Sequence, residues 1–246
     1  MKFVEAGGAR AIPFKYTDSE EAILAKLQKV NGFLFPGGGA SLTDRNGSLS
    51  EYSRKGLIVY NYAKKLNNQG VHFPLWGTCL GFEEMAVMEA NDEGFKLTGG
   101  MDAVNVPSTL EYTKEARKSR LFSAIDPPIV EALTKEKLTF NSHHFGILPE
   151  DFEKYQKLHE MFVPLAYSVD QKGLTYVAAY EARKYPFYGV QFHPEKNSFI
   201  FHPKLHIPHS QTAVKFNLEL AMFFVEESRK NDHQWDSYDE AEKNIA

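Results

Sequence analysis

The stretch Trp76-Gly77-Thr78-Cys79-Leu80-Gly81 constrains this chain most, because it forces a sharp turn between two apolar elements. Val71 to Trp76 is an apolar run that predicts a buried strand. Leu80 to Ala90 sets Phe82, Met85, Ala86, Met88 and Ala90 among charged residues and predicts a helix. Gly-Thr-Cys-Leu-Gly between them differs from the Gly-x-Ser-x-Gly nucleophile elbow in one residue type. Such a turn lifts its central side chain above the sheet on a strained backbone. Its glycines omit Cβ atoms where neighbouring backbone passes close. A thiol in that place faces the positive end of the following helix, which predicts thiolate character. The alternative is an inert buried cysteine.

The rest of the chain supplies a sheet for that turn. Phe3 to Gly8 resembles a helix end with a glycine stop, and Ala9 to Phe14 predicts a short strand. Thr17 to Glu21 offers a helix cap, with Asp18 and Glu21 at capping-box spacing. Ile23, Leu24, Leu27 and Val30 give the next helix one apolar face. Gly32-Phe33-Leu34-Phe35 predicts a buried strand ended by Pro36-Gly37-Gly38-Gly39, and Tyr52 to Leu66 a helix. Leu97 to Pro164 is less regular, with Thr139 to Phe145 a strand end or loop. Leu174 to Tyr180 and Phe187 to Phe192 predict two strands paired as a hairpin, and Thr212 to Glu227 a final amphipathic helix. This alternation predicts an α/β fold with a mostly parallel central sheet flanked by helices. Sites in such sheets form at the carboxyl ends of strands. The Gly37–Gly39 turn and the Cys79 elbow both fall there. With no repeat or linker, 1–229 reads as one domain and 230–246 as a loose polar tail.

Composition removes other classes. One cysteine in 246 residues excludes an intrachain disulfide framework and a multi-cysteine zinc site. A net charge of −4 implies no polycationic face for nucleic acid. No apolar run approaches the ~20 residues of a membrane span, and the first residues lack the apolar core of a signal peptide. His202, His206 and His209 lie in a loop-like stretch without a supporting acid or cysteine, so no metal and no cofactor is predicted.

A second constellation is Gly189-Val190-Gln191-Phe192-His193-Pro194-Glu195. Pro194 biases His193 to an extended backbone, and residues two apart on such a backbone project to one side. Glu195 can then orient the His193 imidazole, and Cys79 completes a nucleophile–base–acid set. The alternative is a turn-end histidine beside a solvated glutamate. Glu83 and Glu84 fall on the first turn of the elbow helix, where complementing the helix dipole explains at least one of them.

Phe35-Pro36-Gly37-Gly38, Trp76 to Glu83 and Tyr188 to Lys196 occur here in the order found in the γ-glutamyl hydrolase family. That family belongs to the class I glutamine amidotransferase-like superfamily. The resemblance runs from about Phe3 through the helix ending at Glu227, and Asn141-Ser142-His143 narrows it further. It implies a class I glutamine amidotransferase-like fold with Cys79 as nucleophile, His193 as general base and acid, and Glu195 as third member. It implies an oxyanion hole from the N–H of Leu80 and of either Gly37 or Gly38. His143 matches a position near the cleft, as an auxiliary substrate contact or a hydrogen-bonded structural histidine.

The implied activity is hydrolysis of γ-glutamyl bonds in folyl-poly-γ-glutamates through a thioester. The implied partner is that small-molecule substrate, with a possible homodimer and a lysosomal, vacuolar or extracellular address. A glutaminase subunit feeding ammonia to a synthase would use the same three residues. In the resembling enzymes a secretion signal and a strand–loop–helix stretch precede the residue matching Phe3. The expectation is therefore a sheet lacking its first strand, with an inactive binding remnant as a third reading.

Overall fold

The computed structural model describes residues 1–245. Its strands are β1 (Phe33–Phe35), β2 (Leu75–Thr78), β3 (Thr98–Ser108), β4 (Glu111–Tyr112), β5 (Thr139–Gly146), β6 (Phe162–Val169), β7 (Thr175–Ala182) and β8 (Phe187–Val190). Its helices are α1 (Lys2–Ala6), α2 (Glu20–Leu27), α3 (Glu51–Asn68), α4 (Leu80–Ala90), α5 (Arg120–Ser123), α6 (Pro127–Ala132), α7 (Asp151–Lys154), α8 (Gln156–Met161), α9 (Gln211–Ser228) and α10 (Tyr238–Asn244).

The central sheet runs β1-β2-β8-β7-β6-β4, and β3 and β5 form a separate antiparallel pair. The predicted α/β layering holds, with a division inside the sheet. β1, β2 and β8 are parallel neighbours. From β8 outward to β7, β6 and β4 every pairing is antiparallel. The sheet is therefore mixed and not mostly parallel as expected, and its parallel part is the half that carries the elbow. The β7–β8 hairpin forms as expected.

Alternation along the strands divides the core into two layers, as a period of two requires. Leu75, Tyr180 and Phe187 face a cluster that includes Val59 and Tyr60 of α3 and Met85 of α4. Trp76, Ala179 and Tyr188 face the opposite cluster, with Phe3 of α1 and Phe216, Leu220 and Phe224 of α9. Trp76 sits between Phe3 and Phe224, at ring-centroid distances of 5.5 and 5.8 Å. Each aromatic pair of this kind adds about 0.5–1.5 kcal/mol beyond its buried area.

Four local expectations are corrected. Ala9 to Phe14 forms no strand. The cap of α2 is Ser19, whose Oγ accepts from the Ala22 N–H at 3.2 Å, not Asp18. The strand before the elbow begins only at Leu75, because Pro74 has no N–H to give a ladder. The start of the segment after Arg229 is anchored, not loose: the Asn31 amide donates to the carbonyls of Asn231 and His233 at 2.8 and 2.7 Å, and the Asn231 amide donates to the carbonyl of His72 at 2.8 Å.

Candidate active site

Because β1, β2 and β8 are parallel neighbours, their carboxyl ends open on one edge of the sheet. β1 delivers Pro36-Gly37-Gly38, β2 delivers Cys79 and β8 delivers Gln191 to His193. Cys79 stands at φ 50°, ψ −107°, one of two non-glycine residues with positive φ among those described. A left-handed backbone at an L-residue is strained by about 1–3 kcal/mol. Two close approaches hold it there. A Cβ on Gly81 would lie 2.1 Å from the Phe35 carbonyl oxygen, and one on Gly77 would lie 2.7 Å from the Gly81 carbonyl. The Cys79 N–H donates to the Val190 carbonyl at 2.9 Å, fastening the elbow to β8.

Gly37 lies over the pair that the sequence singles out. A Cβ built on it would sit 2.8 Å from Cε1 of His193 and 3.5 Å from Cβ of Cys79. One point in space therefore touches both side chains. His193 is buried, and its N–H donates to the Phe140 carbonyl at 2.8 Å, so β5 also fixes it. Its Nδ1 lies 2.7 Å from Oε1 of Glu195. The two meet in a turn after β8, not along a strand. Burial pushes the Glu195 carboxyl up, but the hydrogen bond with His193 and the charge on its ring outweigh that and hold it below its ordinary value. A carboxylate can only accept, so the imidazole hydrogen belongs on Nδ1 and the free lone pair on Nε2.

The thiol departs from expectation. Burial pushes Cys79 up to about 12, the nearby Glu83 carboxyl adds to the rise, and the Leu80 N–H opposes it. At neutral pH the group is a thiol. Helix-end stabilisation is present through Leu80, but desolvation wins. The chemistry available is attack assisted by a base that removes the proton as the bond forms.

The Leu80 N–H lies within hydrogen-bond reach of the Cys79 sulfur, at the corner where the carbonyl of an attacked substrate would sit. A Cβ on Gly38 would meet Cδ2 of Leu80 at 3.3 Å, so Gly37 and Gly38 both border this corner. His143 lies on β5 with its Nδ1 2.7 Å from the Phe145 carbonyl and its ring edge-on to Tyr176 at 4.8 Å. Burial pushes it down to about 4, partly opposed by that carbonyl, with the His193 charge as a further depressing influence. It is a neutral ring near His193, and its Nε2 has no partner among the described residues. His144 beside it is exposed.

The helix-dipole reading of Glu83 and Glu84, which calls for a charged carboxylate, does not fit. Both are buried, and burial pushes each up to about 8. Oε1 of Glu83 accepts from the Gln191 amide at 2.8 Å. Sequence reasoning did not single out Gln191, and its only signal is its place two residues before His193. His202, His206 and His209 do not converge. His209 lies 2.7 Å from the Asn197 carbonyl, His202 accepts from the Lys204 N–H at 3.2 Å, and the His206 N–H donates to Asn105 at 2.7 Å.

Residues 3–205 match the family model described as glutamine amidotransferase class-I. The chain is 36% identical to a γ-glutamyl hydrolase of Rattus norvegicus over 96% of its own length and 72% of that protein. It is 35% identical to the γ-glutamyl hydrolase of Homo sapiens, over 99% of this chain and 74% of that one. It is 34% identical to γ-glutamyl hydrolase 1 of Arabidopsis thaliana, over 94% of this chain and 64% of that one.

Proposed function

The chain belongs to the γ-glutamyl hydrolase family of class-I glutamine amidotransferase domains, and from that premise we propose that it hydrolyses γ-glutamyl bonds of poly-γ-glutamylated folates through a thioester on Cys79. The observation that carries the reading is the point above Gly37 that touches both Cys79 and His193.

The Cys79 sulfur attacks the γ-carbonyl carbon while Nε2 of His193 takes the thiol proton. The carbonyl electrons move to oxygen, and the Leu80 N–H with that of Gly37 or Gly38 stabilises the oxyanion. Removing one such donor elsewhere costs about 2.7–4 kcal/mol in kcat. Collapse breaks the C–N bond, and the His193 proton goes to the departing amine. Water, deprotonated by His193, then attacks the γ-glutamyl thioester and releases the acid and the Cys79 thiol. Glu195 holds the imidazole and balances its transient charge. His143, neutral and next to His193, contributes a substrate contact. Family resemblance supports a homodimer and a lysosomal, vacuolar or extracellular address.

The test is single-turnover reaction of the wild type and Cys79→Ala with a folyl-di-γ-glutamate, read by glutamate release and intact mass. A γ-glutamyl adduct in the wild type only, with no glutamate release from the variant, is the expected result. Turnover by Cys79→Ala overturns the mechanism, and preferential hydrolysis of free glutamine overturns the substrate class.

A further inference from the structure

Helix α4, which Cys79 caps, and the segment that ends at His193 are joined by two rungs. The first is the Cys79–His193 juxtaposition across Gly37. The second lies below it, where Oε1 of Glu83 accepts from Nε2 of Gln191 at 2.8 Å. The spacing matches. Four helical residues advance about 6 Å, and two residues of extended chain advance about 6.6 Å. Glu83 is held one turn from the nucleophile, its N–H donating to the Cys79 carbonyl at 3.0 Å. Glu83 is 4% exposed and Gln191 is fully buried. Among the described residues no lysine, arginine or histidine pairs with Glu83.

We propose that Glu83 is a positioning residue that works as a neutral carboxyl. Hydrogen-bonded to Gln191, it ties the nucleophile helix to the histidine segment. Once it loses its proton, it sets a like charge one turn below the sulfur and slows formation of the thioester. The inference rests on the thioester reading above. Glu83 takes no part in the bond changes, and its proton goes to solvent.

The surroundings support this. Burial keeps the Glu83 carboxyl protonated up to about pH 8, against the Gln191 hydrogen bond, which favours the charged form. After burial, the Glu83 charge is the largest influence raising the Cys79 thiol. The titratable neighbours are few. Cys79 caps the same helix, and Tyr180 on β7 feels the Glu83 charge. Glu195 and Lys196, beyond β8, act on Cys79 with opposite signs. Glu84 turns the other way, toward Tyr52 of α3.

The experiment is the pH dependence of kcat/KM from pH 5 to 9 with p-aminobenzoyl-γ-glutamyl-glutamate, whose acylated amine removes a substrate titration from the upper range. For the wild type the rate falls above about pH 8, approaching tenfold per pH unit. In Glu83→Gln, which keeps the shape and the acceptor oxygen, that fall is absent. In Gln191→Met, which removes the hydrogen bond favouring the carboxylate, its midpoint moves to higher pH. Circular dichroism identifies a variant that has not folded, and the other variant then decides. An unchanged fall in Glu83→Gln, an unmoved midpoint in Gln191→Met, or a wild type with no fall overturns the proposal. A wild type that cleaves no γ-glutamyl bond at any pH overturns the thioester reading itself, and the role of Glu83 with it.

Discussion

Oε1 of Glu195 lies 2.7 Å from Nδ1 of His193, two residues away across a turn that begins at Pro194. That distance fixes the tautomer. A carboxylate accepts only, so Nδ1 carries the hydrogen and Nε2 is left as the base. Glu195→Gln replaces this acceptor with an amide that can present either an oxygen or an N–H, and it loses the negative charge that balances the imidazolium. The expected loss is on the order of 10² to 10⁴ in kcat, with little change in KM. Steady-state kinetics at pH 6–7 check it, and a variant within threefold of wild type removes Glu195 from the mechanism.

The elbow predicts opposite signs for activity and stability at one position. Cys79 adopts φ 50°, which a side chain resists and glycine tolerates. Cys79→Gly and Cys79→Ala both lack the sulfur and are expected to lack turnover. The glycine variant is expected to be the more stable by about 1 kcal/mol, the strain released less the added entropy of an unfolded glycine. Urea unfolding of the two variants measures the difference. Equal stabilities would mean that the elbow carries no strain.

Two glycines near the nucleophile separate catalysis from folding. A Cβ on Gly37 meets the His193 ring at 2.8 Å, and its backbone φ needs no glycine. Gly37→Ala is expected to fold and to lose at least about 10² in kcat/KM by displacing the imidazole, since misplacement of about 1 Å has that effect. A Cβ on Gly81 meets the Phe35 carbonyl at 2.1 Å, where only backbone can move. Gly81→Ala is expected to lose roughly 1–3 kcal/mol of stability or more. Thermal unfolding alongside kinetics distinguishes them. A Gly37→Ala enzyme with wild-type kcat/KM would place the His193 ring elsewhere in solution.

Local grammar explains what was legible in the sequence. Strand, Gly-x-Cys-x-Gly and helix state their geometry within the twenty residues from Val71 to Ala90, whereas His193-Pro194-Glu195 states which side chains meet but not the turn that brings them together. Long-range pairing did not show. β6 carries Pro164 and breaks register on both sides of Ala166, so its alternation is lost. β3 contains Gly99-Gly100 and Asn105 at φ 59°, with two register shifts against β5. Glu83 reads as a helix-dipole partner because the residue it bonds to is 108 residues distant. The end segment reads as loose because its anchor, Asn31, is about 200 residues away. Polar residues whose partners lie far along the chain look solvated in sequence and are buried in the fold.

Glu84 shows the same effect in stability. It is 1% exposed, it faces Gly56 and Tyr52 of α3, and neither carboxyl oxygen completes a hydrogen bond. Burial pushes it up to about 8 from an ordinary 4.5. The folded state therefore keeps a proton that the unfolded state releases as pH rises through 4.5. Below that pH both states are protonated and Glu84 is neutral toward folding. Between about 4.5 and 8 stability falls with rising pH, by about 3 kcal/mol at pH 7 for this one group. Glu83 has the same sign. Glu195, Asp170 and Glu227 have lowered values and the opposite sign, losing their contribution as pH falls toward and below 4. Buried His143, pushed down to about 4, also loses its contribution as pH falls below its ordinary 6.5 and offsets one of the two glutamates there, so stability is greatest at mildly acid pH. Glu84→Gln cannot titrate, so its stability relative to wild type is expected to rise by about 3 kcal/mol between pH 4.5 and 7. That slope is independent of any fixed penalty for burying the amide. Urea unfolding at pH 4.5, 6 and 7 measures it, and a pH-independent difference between the two proteins would show that Glu84 ionises as readily in the folded chain as in the unfolded one.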